Sequence, residues 1–153
     1  MKSFKLLVLV FVLVISCKQT DSKEYSMITA DQTAPLNLQN PDLEKSIERG
    51  AMVYEDFCAQ CHLPDGSGVD GVYPPLNNSN WLSEKRTASI RALKYGLSGE
   101  ITVNGQVYNS MMMDQGLSEQ EIADVMNYTL NSWDNDIQPP VTIEEVTKVQ
   151  EQK

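Results

Sequence analysis

Cys58-Ala59-Gln60-Cys61-His62 constrains this chain more than any other stretch. Cys-x-x-Cys-His is the attachment signature of c-type haem. Two thiols three positions apart can each add across a vinyl group of one porphyrin. The imidazole that follows at once is then placed under the macrocycle, where it can bind iron. The chain has one His and three Cys, so His62 is its sole candidate for a proximal ligand. With 153 residues, 41% hydrophobic and 7% aromatic, the chain supports one modest domain with a small core. A bound haem adds apolar surface to such a core and helps a domain of this size.

The first residues read as an export signal. Lys2 and Lys5 precede an unbroken apolar run from Leu6 to Ile15, too short to span a bilayer but right for a signal-peptide core. Val14-Ile15-Ser16-Cys17 resembles a bacterial lipobox, in which the Cys is diacylated and becomes the mature N-terminus. The other reading is an ordinary secretory signal with a chance Cys. Acyl chains on Cys17 would hold the protein to a membrane face without a transmembrane helix. One Cys for lipid and two for haem leave none for a disulfide. Residues 1–16 are therefore expected to be a lipoprotein signal peptide. Residues 17–40, polar and without apolar period, are expected to be a lipidated flexible tether.

The formal charge is −9; loss of Lys2 and Lys5 with the signal leaves ten basic against 21 acidic residues, or −11. Such a surface disfavours nucleic acid and suits a partner with a basic docking patch, or simply aids solubility.

Helical periodicity begins at Pro41. Leu43, Ile47, Ala51 and Tyr54 recur at helical spacing through Phe57, with Pro41 and Asp42 suited to the first turn. Gly50 sits inside this helix at a cost of about 1 kcal/mol against Ala, which close approach of another helix would explain. Leu63 to Asn80 carries three glycines and three prolines and reads as an irregular loop ordered by packing on a large group. Glu84 to Tyr95 reads as a helix with Ser83 as N-cap and Gly96 as its stop. Ile101-Thr102-Val103 and Gln106-Val107-Tyr108 flank Asn104-Gly105, a hairpin signal. Ser118-Glu119-Gln120-Glu121 is a capping box that opens the last helix, with Ile122, Val125, Met126 and Thr129 on one face and an end near Trp133. Residues 135–153 form a charged tail, with scope for helix after Thr142, that nothing obliges to pack and that is open to disorder.

Haem iron in an electron carrier needs a second axial ligand from far along the chain, and a neutral thioether there raises the potential. Met111, Met112 and Met113 lie in a polar loop where adjacent methionines make poor core. Met is more often gap filler than ligand. With no second His, the ligand reading is favoured. Zinc would need a fourth ligand and a partner pair that is absent. A redox Cys-x-x-Cys pair belongs beside a βαβ pattern, also absent.

From about Leu43 to Trp133 the chain resembles a class I cytochrome c of the bacterial membrane-anchored lipoprotein type. Carrying the resemblance are Gly50 and Tyr54 before Cys58–His62, then Gly66-Ser67-Gly68, Tyr73-Pro74-Pro75-Leu76 and Trp81-Leu82. It continues through Asn104-Gly105, Tyr108-Asn109, Leu117–Ala123 and Asn131-Ser132-Trp133. The resemblance implies an all-α small cytochrome c fold in residues 41–134, with crossing terminal helices, haem-wrapping loops and a short β-hairpin before the distal Met. It implies one covalent haem c, with Cys58 and Cys61 as thioether links and His62 as proximal ligand. It implies that the Pro74 carbonyl orients that imidazole, and that Gly50 and Tyr54 cross Val125 and Tyr128. Counting back from Leu117 puts Met112 in the distal place. Met113 stands where the family has Pro, which keeps Met111 and Met113 as alternatives.

The expected role is a non-enzymatic electron carrier on the periplasmic side of a membrane or at the cell surface. Its donor would be a quinol-oxidising complex or dehydrogenase, and its acceptor an oxidase or reductase. A permanently bound subunit of such a complex is the second reading. A ligand-binding or peroxidatic haem protein is the third.

Overall fold

The computed structural model describes residues 41–151. The expected signal peptide, the tether and Cys17 lie outside them. In chain order the elements are α1 (Pro41–Phe57), α2 (Ala59–His62), α3 (Asn80–Glu84), α4 (Arg86–Tyr95), β1 (Ile101–Val103), β2 (Gln106–Tyr108), α5 (Glu119–Leu130) and α6 (Ile143–Lys148). This is the mostly helical architecture, with one short hairpin, that the resemblance implies.

Helices α1 and α5 cross in direct contact. A Cβ on Gly50 would fall inside contact distance of the Asp124 backbone carbonyl and 2.8 Å from Tyr128 Cβ. Only glycine lets the two helices approach this closely, and that accounts for a residue that is otherwise costly in a helix. One turn on, Tyr54 packs at 5.3 Å between ring centroids from both Tyr128 and Trp133. Buried polar groups fasten the same crossing. The Asp124 carboxylate, 1% exposed, accepts bonds from Ser46 Oγ, from Gln120 and, in a fork, from Arg49 Nε and an Arg49 terminal nitrogen. A buried acid is tolerable when its lone pairs are filled in this way.

The capping box at Ser118 forms as the sequence predicts, with Ser118 Oγ accepting from Glu121 N–H and the Glu121 carboxylate accepting from Ser118 N–H. The hairpin also forms, Ile101 opposite Tyr108 and Val103 opposite Gln106. Asn104 and Gly105 turn with φ of 50° and 81°, as a type I′ turn requires.

The expected helix from Glu84 differs in detail. Asn80 N–H donates to Asn104 Oδ1 and Asn104 N–H returns a bond to Asn80 Oδ1, so the hairpin tip caps a helix that starts earlier. The chain then breaks at Lys85 (φ −122°, ψ 36°) and restarts as α4. Ser83 caps nothing; its hydroxyl donates back to the Asn80 carbonyl.

The larger correction concerns the tail. The expected domain stopped at 134, with 135–153 free of any obligation to pack. In the structure Val141, Val146 and Val149 are buried with Leu82, Ile90, Ile122, Met126 and Leu130 in the main core cluster. Polar contacts hold the segment in place. Asn127 Nδ2 donates to the Val141 carbonyl and Val141 N–H donates to Asn127 Oδ1. Arg86 forks onto the Glu145 carboxylate at 2.7 and 2.9 Å. Thr147 donates to Glu119, and Lys94 donates to the Val146 and Val149 carbonyls. The physical reason is the apolar face of α4 and α5 that α1 leaves uncovered, which three valines complete.

Candidate functional site

The Cys-x-x-Cys-His segment ends α1 and forms α2. Cys58 N–H bonds back to the Tyr54 carbonyl, and the Cys58 carbonyl accepts from both Cys61 and His62 N–H. That single turn points the two thiols and the imidazole to one side. Leu63 follows in a left-handed conformation (φ 62°), costly for a branched side chain at about 1–3 kcal/mol. It is held there by the Tyr54 hydroxyl, which donates to its carbonyl at 2.7 Å.

The loop after Leu63 then doubles back. Gly68 N–H donates to the His62 carbonyl, and the Gly66 carbonyl accepts from Leu76 and Asn77. Trp133 Nε1 reaches over from the end of α5 to the Pro64 carbonyl. The result is that the Pro74 carbonyl stands 2.9 Å from His62 Nδ1. Only an Nδ1–H can make that bond, which leaves Nε2 with a free lone pair. Burial lowers the His62 pKa, and the Pro74 carbonyl opposes the shift in part. A neutral imidazole is the form that binds a metal. Burial, with some help from Cys61, pushes the Cys58 thiol up to about 11.

His62 and Cys58 open onto a cleft walled by α3, α4, α5, β1 and the 74–79 loop. Its wall is apolar: Leu82, Leu93, Ile101, Val103, Val125 and Met126 stand among the lining residues, with no Asp, Glu, Lys or Arg. An outer mouth shares Cys58, His62, Pro74, Leu97, Ile101 and Met112 with this cleft and adds Cys61 and Phe57.

The three methionines are separated by their backbone. Met112 N–H donates to the Leu97 carbonyl at 2.9 Å and Leu97 N–H returns a bond to Met112 at 2.8 Å, an isolated antiparallel bridge. A Cβ on Gly96 would stand 2.8 Å from the Met112 carbonyl, so glycine there lets the bridge close. Successive side chains of an extended segment alternate in direction. Accordingly Met112 lines the inner cleft, while Met111 and Met113 are 68% and 64% exposed and reach only the outer mouth.

These residues fit a covalent haem. Two free thiols, a neutral imidazole with an open nitrogen, a thioether and an apolar slot converge. Ser79 borders the cleft, and its buried hydroxyl has no hydrogen-bond partner among the described residues. Such a group costs about 1–3 kcal/mol unless something supplies a partner. Among the described residues no cluster of three or more His, Cys, Asp and Glu gathers as a conventional metal site would require. Sequence reasoning reached the two thiols, His62, Pro74 and the methionine cluster. It missed Ser79, which shows no pattern of its own, and Tyr54 as the clamp on Leu63.

The site thus defines a protein built to hold a covalent haem in an apolar cleft. The cytochrome c family model matches residues 47–133. Over 113 residues the chain is 36% identical to cytochrome c-552 of Thermus thermophilus, across 68% of this chain and 86% of that protein. It is 34% identical over 106 residues to the cytochrome c subunit of a quinone alcohol dehydrogenase of Gluconacetobacter polyoxogenes, covering 67% of this chain and 22% of that subunit. The fructose dehydrogenase cytochrome subunit of Gluconobacter japonicus is 30% identical over 102 residues, covering 63% and 21%. The chain belongs to the cytochrome c family. Its cofactor is covalently bound haem c and its function is single-electron transfer.

Proposed function

We propose that this cytochrome is an electron carrier in which His62 and Met112 would hold the haem iron, exported and held to a membrane face by lipid on Cys17. Haem c, when bound, supplies an iron that changes by one electron. The chain's own residues provide the rest. Pro74 keeps the His62 ring oriented. The Leu97 bridge holds Met112 in register, and the apolar wall excludes water. Two protein ligands held in both oxidation states leave little to move when the electron does. No side chain makes or breaks a bond in this role, so the protein is not itself a catalyst. Redox enzymes of the membrane, a dehydrogenase or quinol-oxidising complex before it and an oxidase or reductase after it, are the partners. Lipid on Cys17 would raise encounter with them through effective concentration.

The observation that carries this reading is Met112, alone of the three methionines on the inner cleft wall. Replacing Met112 with Ala should abolish the red-region sulfur-to-ferric-iron band and lower the potential, while Met111→Ala and Met113→Ala keep both. A band that survives in Met112→Ala excludes this ligand. A wild-type protein with no such band favours the open-site haem protein. Changing Cys17 to Ser should release the exported protein from membranes, and retention there would remove the lipid anchor from this reading.

The match favours a separate carrier, since similarity spans most of cytochrome c-552 but about a fifth of the dehydrogenase subunits. Those subunits still motivate the second role, a fixed relay. A stoichiometric complex with a dehydrogenase that survives high salt would establish that role instead.

A further inference from the structure

Met112 sits on a long excursion of the chain that leaves the end of α4, turns through the β1–β2 hairpin and returns to the start of α5. The paired Asn80 and Asn104 bonds hold its far tip, and the Leu97–Met112 bridge holds its middle. Past Met112 the hydrogen bonds of residues 113–118 are short-range. Gln115 Nε2 donates to the Met113 carbonyl, Gly116 N–H donates to Asp114 Oδ1, and Ser118 bonds within its capping box. Leu117 adds packing against both core clusters. Glu119 is the next residue, and its carboxylate ties this leg to distant elements.

Lys94, in the last turn of α4, meets Glu119 across the neck of the excursion. Its Nζ donates to Glu119 Oε1 at 3.0 Å, to the Val146 carbonyl at 3.0 Å and to the Val149 carbonyl at 3.3 Å. These acceptors use every hydrogen an ammonium has. The Lys94 side chain is 16% exposed, whereas Lys148, paired with Glu144 on α6, is 72% exposed. A cation on the carbonyls at the end of α6 also complements that helix's dipole. From the same segment, Thr147 Oγ1 donates to the other Glu119 oxygen at 2.6 Å, and the Val149 carbonyl accepts from the Tyr95 hydroxyl. The C-terminal segment thus grips both legs of the excursion, the outgoing one at Lys94 and Tyr95 and the returning one at Glu119.

We infer that Lys94 is a positioning residue for the distal methionine: with Glu119 and the C-terminal segment it closes the neck of the Met112 loop and slows its opening. Lys94, Glu119, Thr147, Val146 and Val149 line neither the cleft nor its mouth, so they act through the backbone. Tyr95 and Gly96 alone separate Lys94 from Leu97, and a hold on that leg passes directly to the bridge. The inference rests on the reading of Met112 as the iron's second ligand, and its failure is distinguishable from the failure of that reading. Should Met112→Ala keep the methionine band, the ligand reading falls, while amide protection at the bridge still judges the clamp.

Imidazole is the probe. In ferric holoprotein it can take the distal place only when Met112 has let go, so its uptake, read as loss of the methionine band, measures how readily the loop opens. Lys94→Met keeps the aliphatic stem. It should retain the band without imidazole and take up imidazole about tenfold faster, as loss of charge-assisted hydrogen bonds implies. Lys148→Met removes the same charge from α6 at an exposed pair and should match wild type. Protection of the Leu97 and Met112 amides should fall in Lys94→Met by a similar factor, while that of the α1–α5 crossing holds. Should Lys94→Met yield no holoprotein, Thr147→Val takes its place, with Thr147→Ser expected to match wild type. Uptake and bridge protection unchanged from wild type overturn the clamp. So does an equal loss of protection at the bridge and at the crossing, which marks a merely structural lysine.

Discussion

At Gly50 a hydrogen atom in place of a side chain sets the separation of α1 and α5. The position was legible as an anomaly, a poor helix former beside an apolar stripe, and its cause was legible as close approach. What sequence could not supply was the opposing surface, which is backbone at Asp124 and Cβ at Tyr128. Neither can swing away as a flexible side-chain tip would. Gly50→Ala should therefore destabilise the holoprotein by about 3 kcal/mol, the upper end of overpacking costs, despite alanine's better helix propensity. Denaturant unfolding followed by far-UV circular dichroism measures it. A variant as stable as wild type would mean that the helices do not meet here.

At the scale of elements, the bridge between Leu97 and Met112 fixes the loop in which the family resemblance expects a Pro. A missing Pro was readable from Met113, but the replacement was not. Pairing between a residue after α4 and one after the hairpin is a long-range backbone contact with no local signature. The packing of helix α6 was hidden for a related reason. Its apolar residues are few and set among charges, so no amphipathic period announces it, and its burial depends on the face it meets.

Two carboxylates pin that helix, and both have pKa values below the usual Glu range. Glu145 is lowered first by its hydrogen bonds from Arg86. Glu119 is lowered first by Thr147 and then by Lys94. A depressed folded-state pKa gives stability that is present above the ordinary Glu value and lost as pH falls through the lowered one. Amide-exchange protection at residues 141–149, relative to the intrinsic rate at each pH, should accordingly fall on acidification below the normal carboxylate range, ahead of the α1–α5 crossing. Arg86→Ala should cost under about 1 kcal/mol, as partly exposed ion pairs do, and should remove much of that acid sensitivity. Equal acid sensitivity in the variant would reject the Arg86–Glu145 contact as its source. Val146, fully buried, should matter more: Val146→Ala should lose about 2 kcal/mol in thermal or denaturant unfolding.

For the whole molecule, the core cluster that takes in the C-terminal valines and the cluster around Tyr54, Cys58 and Val125 flank one apolar cleft and share Leu76, Leu93 and Leu117. Haem would join the two, and C-terminal valines back one of them without lining the cleft. Truncation after Asn135 should thus lower the melting temperature while leaving the methionine band in place. Replacing Cys58 and Cys61 with Ala should do more, giving a chain without covalent haem and with a broad, weakly cooperative melt, because a group that binds only the folded state no longer supports it. A sharp wild-type melt in that variant would show that the polypeptide core suffices alone.

The sequence by itself determined the attachment motif, the first helix, the hairpin and the capped last helix. Each of these is encoded by neighbours within a few residues, through spacing, caps and turn chemistry. Tertiary structure decided which of the three adjacent methionines borders the inner cleft and that the last residues close the core. Those depend on surfaces brought together from distant segments, and no local pattern records which side chain a distant wall will meet.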